Sequence, residues 1–201
     1  MREGAKSARR GRARQGERVW LAWEQQRRSR ALEKVIVVDA EKCYACLACV
    51  VECAYQQAEA GPEVRLSSGV LSYAGCDVVA VGREPVPLVC NHCEDAPCIT
   101  VCPTRAIQRK TPDGPVLLEA DLCIGCRACM MACPFGMIRV RPDGKSALKC
   151  DLCADRTERG LLPACVAACP TGALELREVD EVIAEARKRA AAALLSRSKQ
   201  E

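Results

Sequence analysis

A chain of 201 residues with six aromatic side chains and 17 cysteines has room for one or two small domains but lacks the bulky residues that usually build their cores. Cysteine at about 8 % would suggest a disulfide framework in a short secreted protein, yet here the cysteines cluster two or three residues apart, as suits a metal centre. The formal charge of +4 is unevenly placed: residues 1–34 hold eleven Lys/Arg against four Asp/Glu, and the remainder holds 19 against 22, which excludes nucleic acid as a partner for the body.

Residues 1–34 form a basic N-terminal arm, in which residues 18–32 have helical spacing that sets Val19, Trp20 and Trp23 on one side. It reads either as a solvated tail or as a docking arm for a partner. No apolar stretch follows Arg9 and Arg10, as a secretory or twin-arginine leader requires, so a reducing, cytoplasmic compartment is expected. No run reaches the eighteen apolar residues of a membrane span. At Val35 the texture changes to a short β-branched run, VIVVDAEKC, which leads into the first cysteine cluster.

Residues 61–89 interrupt the cysteine rhythm with alternating apolar positions (Val64, Leu66, Val70, Leu71, Val78, Val79, Val81) and Gly/Pro punctuation, and predict a β-rich insert of one or two hairpins. An internal repeat follows. PVLLEADLC before Cys123 repeats the strand-then-cysteine texture of VIVVDAEKC, and Cys102-Pro103, Cys133-Pro134 and Cys169-Pro170 each end a helical turn ahead of an apolar pair that starts a strand. Residues 178–201 close the chain as an amphipathic helix and tail, with Val179, Val182, Ile183, Ala186 and Leu194 expected to pack on the chain itself rather than on a partner.

Sixteen cysteines fall into four groups: Cys43-x2-Cys46-x2-Cys49-x3-Cys53; Cys90-x2-Cys93-x4-Cys98-x3-Cys102; Cys123-x2-Cys126-x2-Cys129-x3-Cys133; and Cys150-x2-Cys153-x11-Cys165-x3-Cys169. A C-x2-C-x2-C loop aims three thiolates at one cubane, and the x3 step carries the fourth along a helical turn toward another cluster, so motifs work in pairs. Structural zinc also uses C-x2-C pairs, but with four ligands per site it gives no reason for the third cysteine or for the one before proline. A [4Fe-4S] core on four thiolates is a dianionic unit, so four of them would take the chain from +4 to about −4. Cys76 is left over and reads as a small buried hydrophobe. His92, the single histidine, stands between Cys90 and Cys93, where it is either structural or a hydrogen-bonding neighbour that adjusts a cluster's potential. No radical-SAM C-x3-C-x2-C, dinucleotide loop or nucleophile–base pair is present, so catalysis is left to a partner.

These four spacings, in this order, resemble the four-cluster ferredoxin-like iron-sulfur subunits of molybdenum or tungsten oxidoreductases, formate dehydrogenases, hydrogenases and carbon monoxide dehydrogenase, over residues 35–176. The resemblance implies an α+β fold of two interleaved bacterial-ferredoxin-like modules with a β-hairpin insert and a C-terminal helix. The first module (residues 35–60 and 145–177) encloses the second (residues 90–144). It further implies four [4Fe-4S] clusters: on Cys43, Cys46, Cys49 and Cys169; on Cys53, Cys150, Cys153 and Cys165; on Cys90, Cys93, Cys98 and Cys133; and on Cys102, Cys123, Cys126 and Cys129. The implied role is an electron-transfer subunit relaying single electrons between a catalytic oxidoreductase subunit and a donor or acceptor; the alternative is a freestanding polyferredoxin-type carrier. Ala54 stands where the other motifs have proline, and residues 1–34 lie outside the resemblance.

Overall fold

The computed structural model describes residues 33–58 and 70–197. Nearly all of the basic arm with Trp20 and Trp23, residues 61–69 of the insert with Val64 and Leu66, and the last four residues lie outside the described residues. The architecture is α+β, built of four two-stranded antiparallel sheets and short helices.

Strand β1 (Lys34–Val38) pairs with β8 (Leu174–Glu178), joining the two flanks of the cysteine-bearing region, with Ile36 opposite Leu176 and Val38 opposite Leu174. Between them lie three local hairpins: β2 (Asp77–Val81) with β3 (Glu84–Leu88), β4 (Ile107–Arg109) with β5 (Val116–Leu118), and β6 (Arg139–Val140) with β7 (Ala147–Leu148). Pro85 and Pro87 sit two apart in β3, so both missing N–H groups fall on one edge of a strand whose other edge makes the ladder.

The helices between β1 and β8 are short, most of them little more than one turn, and all but α4 carry cysteine: α1 (Ala48–Gln57), α2 (Pro97–Thr100), α3 (Ala128–Ala132), α4 (Ala154–Thr157) and α5 (Ala164–Ala167). In each Cys-Pro repeat the third residue after the cysteine is left-handed: Arg105 at φ 55°, Gly136 at 63° and Gly172 at 66°. That reversal delivers the buried pairs Ala106-Ile107 and Ala173-Leu174 to the starts of β4 and β8, as the repeat predicts, whereas the buried pair Met137-Ile138 stands just ahead of β6.

Two cores result. One gathers Ile36, Val50, Ala54, Ala74, Leu152 and Leu174 around Cys49, Cys53 and Cys165, with α1 against α5. The other gathers Ile107, Val116, Ile138 and Ala147 around Cys98 and Cys129, with α2 against α3. Helix α6 (Val179–Arg197) behaves differently from its expected packing. Only Val179 and Val182 are partly covered, whereas Ile183 and Leu194 are exposed. The helix is anchored at its start by Arg177, which donates to both carboxylate oxygens of Glu185 at 2.7 Å. Beyond the first turns its side chains are exposed, because the small body is already closed by β1 and β8.

Candidate iron-sulfur centres

The cysteine loops share one backbone device. The residue just before the second cysteine is left-handed in every motif: Ala45 (φ 61°), His92 (45°), Gly125 (68°) and Leu152 (59°). Successive N–H groups in such a right-to-left alternation converge on one point and make a concavity for an anion. In the first and third motifs a second left-handed residue, Leu47 or Arg127, caps the following helix.

Around these loops the sulfurs gather in sets drawn from different motifs. A cavity of about 450 Å³ is lined by Cys102, Cys123, Cys126 and Cys129. A second, of about 380 Å³, is lined by Cys90, Cys93, Cys98 and Cys133. A third, of about 310 Å³, is lined by Cys43, Cys46, Cys49 and Cys169, with Val78 and Pro87 of the β2–β3 hairpin in its wall. Each thus takes one cysteine from a motif other than that of its three neighbours. Cys53, Cys150, Cys153 and Cys165 are buried, and negative charge on Cys53 and Cys165 acts on Cys153. All seventeen cysteines are free thiols, and among the described residues no three acidic, cysteine or histidine side chains converge closely enough for a single metal ion. Sulfurs set around a cavity rather than around a point suit a multi-iron core.

Donors already point at several of these sulfurs. Backbone N–H groups reach Cys53 Sγ from Gly75 at 3.2 Å, Cys150 Sγ from Leu152 at 3.3 Å, Cys153 Sγ from Ala164 at 3.5 Å and Cys123 Sγ from Ala147 at 3.5 Å. The Cys-Pro-Thr repeat adds hydroxyls, Thr104 at 3.8 Å from Cys102 Sγ and Thr171 at 3.7 Å from Cys169 Sγ. Burial would raise both of these thiols, but the Ile107 N–H with the Thr104 hydroxyl lowers Cys102, and the Leu174 N–H with the Thr171 hydroxyl lowers Cys169. Deeper thiols go the other way: burial pushes Cys153 up to about 12 and raises Cys150 well above the ordinary thiol range. Ligation of iron by these two would therefore have to draw off their protons, and the N–H groups aimed at their sulfurs would favour the thiolate.

Cys76, expected to be a small buried hydrophobe, is buried at 3 % exposure but has polar partners. Its thiol donates to the Cys49 carbonyl at 3.4 Å, and hydrogen bonding from Cys76 pulls Cys49 down to about 7 and also lowers Cys53. The close approach of Gly75 to the Cys150 backbone puts it there: a Cβ on Gly75 would lie 3.0 Å from Cys150 Cα. No spacing rule reveals this, since Cys76 belongs to no motif. Lys149 is a second residue that spacing passes over. It is 4 % exposed and donates from Nζ to the carbonyls of Val116 at 2.6 Å and Cys150 at 2.7 Å. The Thr104 and Thr171 hydroxyls were findable, because both follow Cys-Pro in the repeat.

Comparison with known proteins agrees with this chemistry. The family model of the 4Fe-4S dicluster domain matches residues 82–179. YsaA of Escherichia coli (strain K12), named for a proposed role in electron transport, is 41% identical over 153 residues, covering 75% of this chain and 94% of its own length. The B subunit of the anaerobic dimethyl sulfoxide reductase of the same organism is 37% identical over 153 residues, covering 72% of this chain and 73% of its own. The thiosulfate reductase electron transfer subunit PhsB of Salmonella typhi is 36% identical over 148 residues, covering 73% of this chain and 77% of its own. With these motifs, cavities and relatives together, the protein belongs to the 4Fe-4S dicluster family of iron-sulfur electron-transfer subunits.

Proposed function

We propose that the protein holds four [4Fe-4S] clusters on two interleaved modules and relays single electrons between a catalytic subunit of a molybdenum- or tungsten-type oxidoreductase and a further donor or acceptor. The ligand sets are Cys43, Cys46, Cys49 and Cys169; Cys53, Cys150, Cys153 and Cys165; Cys90, Cys93, Cys98 and Cys133; and Cys102, Cys123, Cys126 and Cys129. The observation that carries this reading is the crossed membership of the three sulfur-lined cavities, in which Cys169, Cys133 and Cys102 each join three cysteines of another motif. The β1–β8 pairing supports the enclosure of one module by the other. When bound, the clusters supply one-electron chemistry; the protein's part is to hold them and set their potentials by burial and by N–H and O–H donors to sulfur. The cytoplasm is the proposed compartment; among the described residues no helix is long and apolar enough to cross a membrane.

Anaerobically purified protein is expected to contain about sixteen iron and about sixteen sulfide per molecule with little zinc, four of each per cubane. A stable zinc-loaded, sulfide-free preparation would contradict the reading. Co-purification with a large catalytic subunit separates a bound subunit from a freestanding carrier.

A further inference from the structure

The cavity lined by Cys90, Cys93, Cys98 and Cys133 contains two nitrogen donors that the protein does not otherwise use to the full. His92, in its wall, is 2 % exposed, and its Nδ1 accepts the Val116 N–H at 3.0 Å. A ring nitrogen that accepts is unprotonated, so the neutral imidazole has its proton on Nε2. Nε2 is buried and has no partner. An N–H stranded in the interior is destabilising unless something in the cavity receives it.

Lys149 lines the same cavity and is 4 % exposed. Its two acceptors are both carbonyls, Val116 O and Cys150 O, and among the described residues it makes no ion pair. A buried ammonium without a carboxylate calls for another source of negative charge. The Val116 peptide thus holds both groups, its N–H on the imidazole and its carbonyl under the ammonium. The bond to the Cys150 carbonyl stretches Lys149 toward the neighbouring sulfur set, and its charge acts on Cys98 on one side and Cys150 on the other. The other cavities lack this equipment: no Lys, Arg or His lines that of Cys43, and the one at Cys126 is bordered only by Arg127, which is exposed.

We propose that His92 and Lys149 are positioning residues that make the centre in this cavity an electron trap at the crossing between the two modules. With a cluster bound, the His92 Nε2–H would donate to one of its sulfurs, and the Lys149 ammonium, bonded to the Val116 and Cys150 carbonyls, would stabilise the negative charge that reduction adds. The inference rests on the cluster assignment above. A cluster held here by Cys90, Cys93, Cys98 and Cys133 would supply one-electron chemistry, exchanging a single electron with a neighbouring centre, and His92 and Lys149 would favour its reduced form. No bond forms or breaks, and both nitrogens keep their protons. A donor and a cation next to sulfur favour the reduced, more negative state, and low local dielectric enlarges the effect.

The full-length protein, loaded anaerobically, provides the test, and its single histidine makes labelling specific. With ¹⁵N-histidine, pulsed EPR of the reduced protein is expected to show nitrogen hyperfine coupling on one cluster signal, the one lost in Cys98→Ser; coupling on no signal overturns the proposal. In EPR-monitored redox titrations, His92→Leu is expected to lower that centre's reduction equilibrium about tenfold, or about 59 mV for a one-electron couple. His92→Gln, which keeps an N–H, should recover most of the shift. Lys149→Met should lower this centre and the Cys150 centre together, with Lys149→Arg restoring them. Unchanged midpoints, or equal shifts at all four centres, overturn the trap. Full iron and sulfide content in the wild-type protein with no such shifts in the variants sinks this inference alone, whereas protein that never holds four clusters sinks the assignment beneath it.

Discussion

At Gly125 two constraints coincide that act separately elsewhere. Its φ of 68° is unfavourable for any L residue by about 1–2 kcal/mol, and a Cβ there would also lie 2.8 Å from the Lys145 carbonyl oxygen. Gly82 has nearly the same φ, 65°, with nothing within 4 Å. Gly125→Ala is therefore expected to lose more stability than Gly82→Ala in denaturant titrations of the holo-protein. It should also lose iron from the site of Cys123, Cys126 and Cys129. Equal losses would mean that the loop yields easily. Cys76→Ser tests a different kind of contact: serine keeps a donor toward the Cys49 carbonyl, so all four centres are expected to remain, with only the signals of the Cys43 and Cys53 sites disturbed.

Pairing of β1 with β8 is the element-scale contact with the longest reach, and Ile36 and Leu174 are its buried members, at 6 % and 2 % exposure. Truncating Leu174 to alanine is expected to cost about 2–5 kcal/mol, the usual range for a core aliphatic, and to show as a lowered denaturant midpoint. The helices convey the crossing more directly. Cys53 lies on α1 one helical turn past Cys49, and under the proposed assignment the two sulfurs, a turn apart along one face, serve different sets. Cys53→Ser should accordingly disturb the centre shared with Cys150, Cys153 and Cys165, and leave the β4–β7 region's centres intact. EPR damage confined to the Cys43 site would refute the crossed assignment.

For the whole molecule, the two cores are small and cysteine itself fills much of them. Burial of so few large side chains leaves little to oppose the chain entropy of folding, and metal ligation must make up the difference. Complete removal of iron by chelation is expected to unfold the protein; native-like circular dichroism in the stripped protein would contradict this. The charge separation gives a second prediction at this scale. An arm of +7 beside a body with three excess acids, to which the four proposed clusters would add dianionic charge, should favour an acidic partner surface, with Trp20 and Trp23 as anchors. Deleting residues 1–29 is expected to leave the iron content unchanged and to weaken the complex with a catalytic subunit, more so at moderate salt. Lost iron would instead place the arm within the fold.

Spacing and punctuation determined a good deal by themselves. Sixteen cysteines in four motifs identified iron-sulfur chemistry, and the Cys-Pro repeat foretold the turn at all three copies and the strand starts at Ile107 and Leu174, because helix-breaking proline and an apolar pair are local signals; after the third motif the strand begins one residue past Met137-Ile138, at Arg139. The β2–β3 hairpin was legible in the same way, from alternation and the Gly82 turn. What only the tertiary structure decided are the contacts between segments distant in sequence. The Cys76 thiol reaches Cys49 because Gly75 lets the backbone approach Cys150, and Lys149 is drawn inside because Val116, 33 residues away, supplies a buried carbonyl. The spacing of α6 suggested a packed face, but whether such a face is buried depends on what stands opposite it, and opposite Ile183 and Leu194 the protein places nothing among its described residues. Local conformational preference is written residue by residue; burial and partnership arise only when remote segments meet, and no spacing along the sequence encodes which ones will.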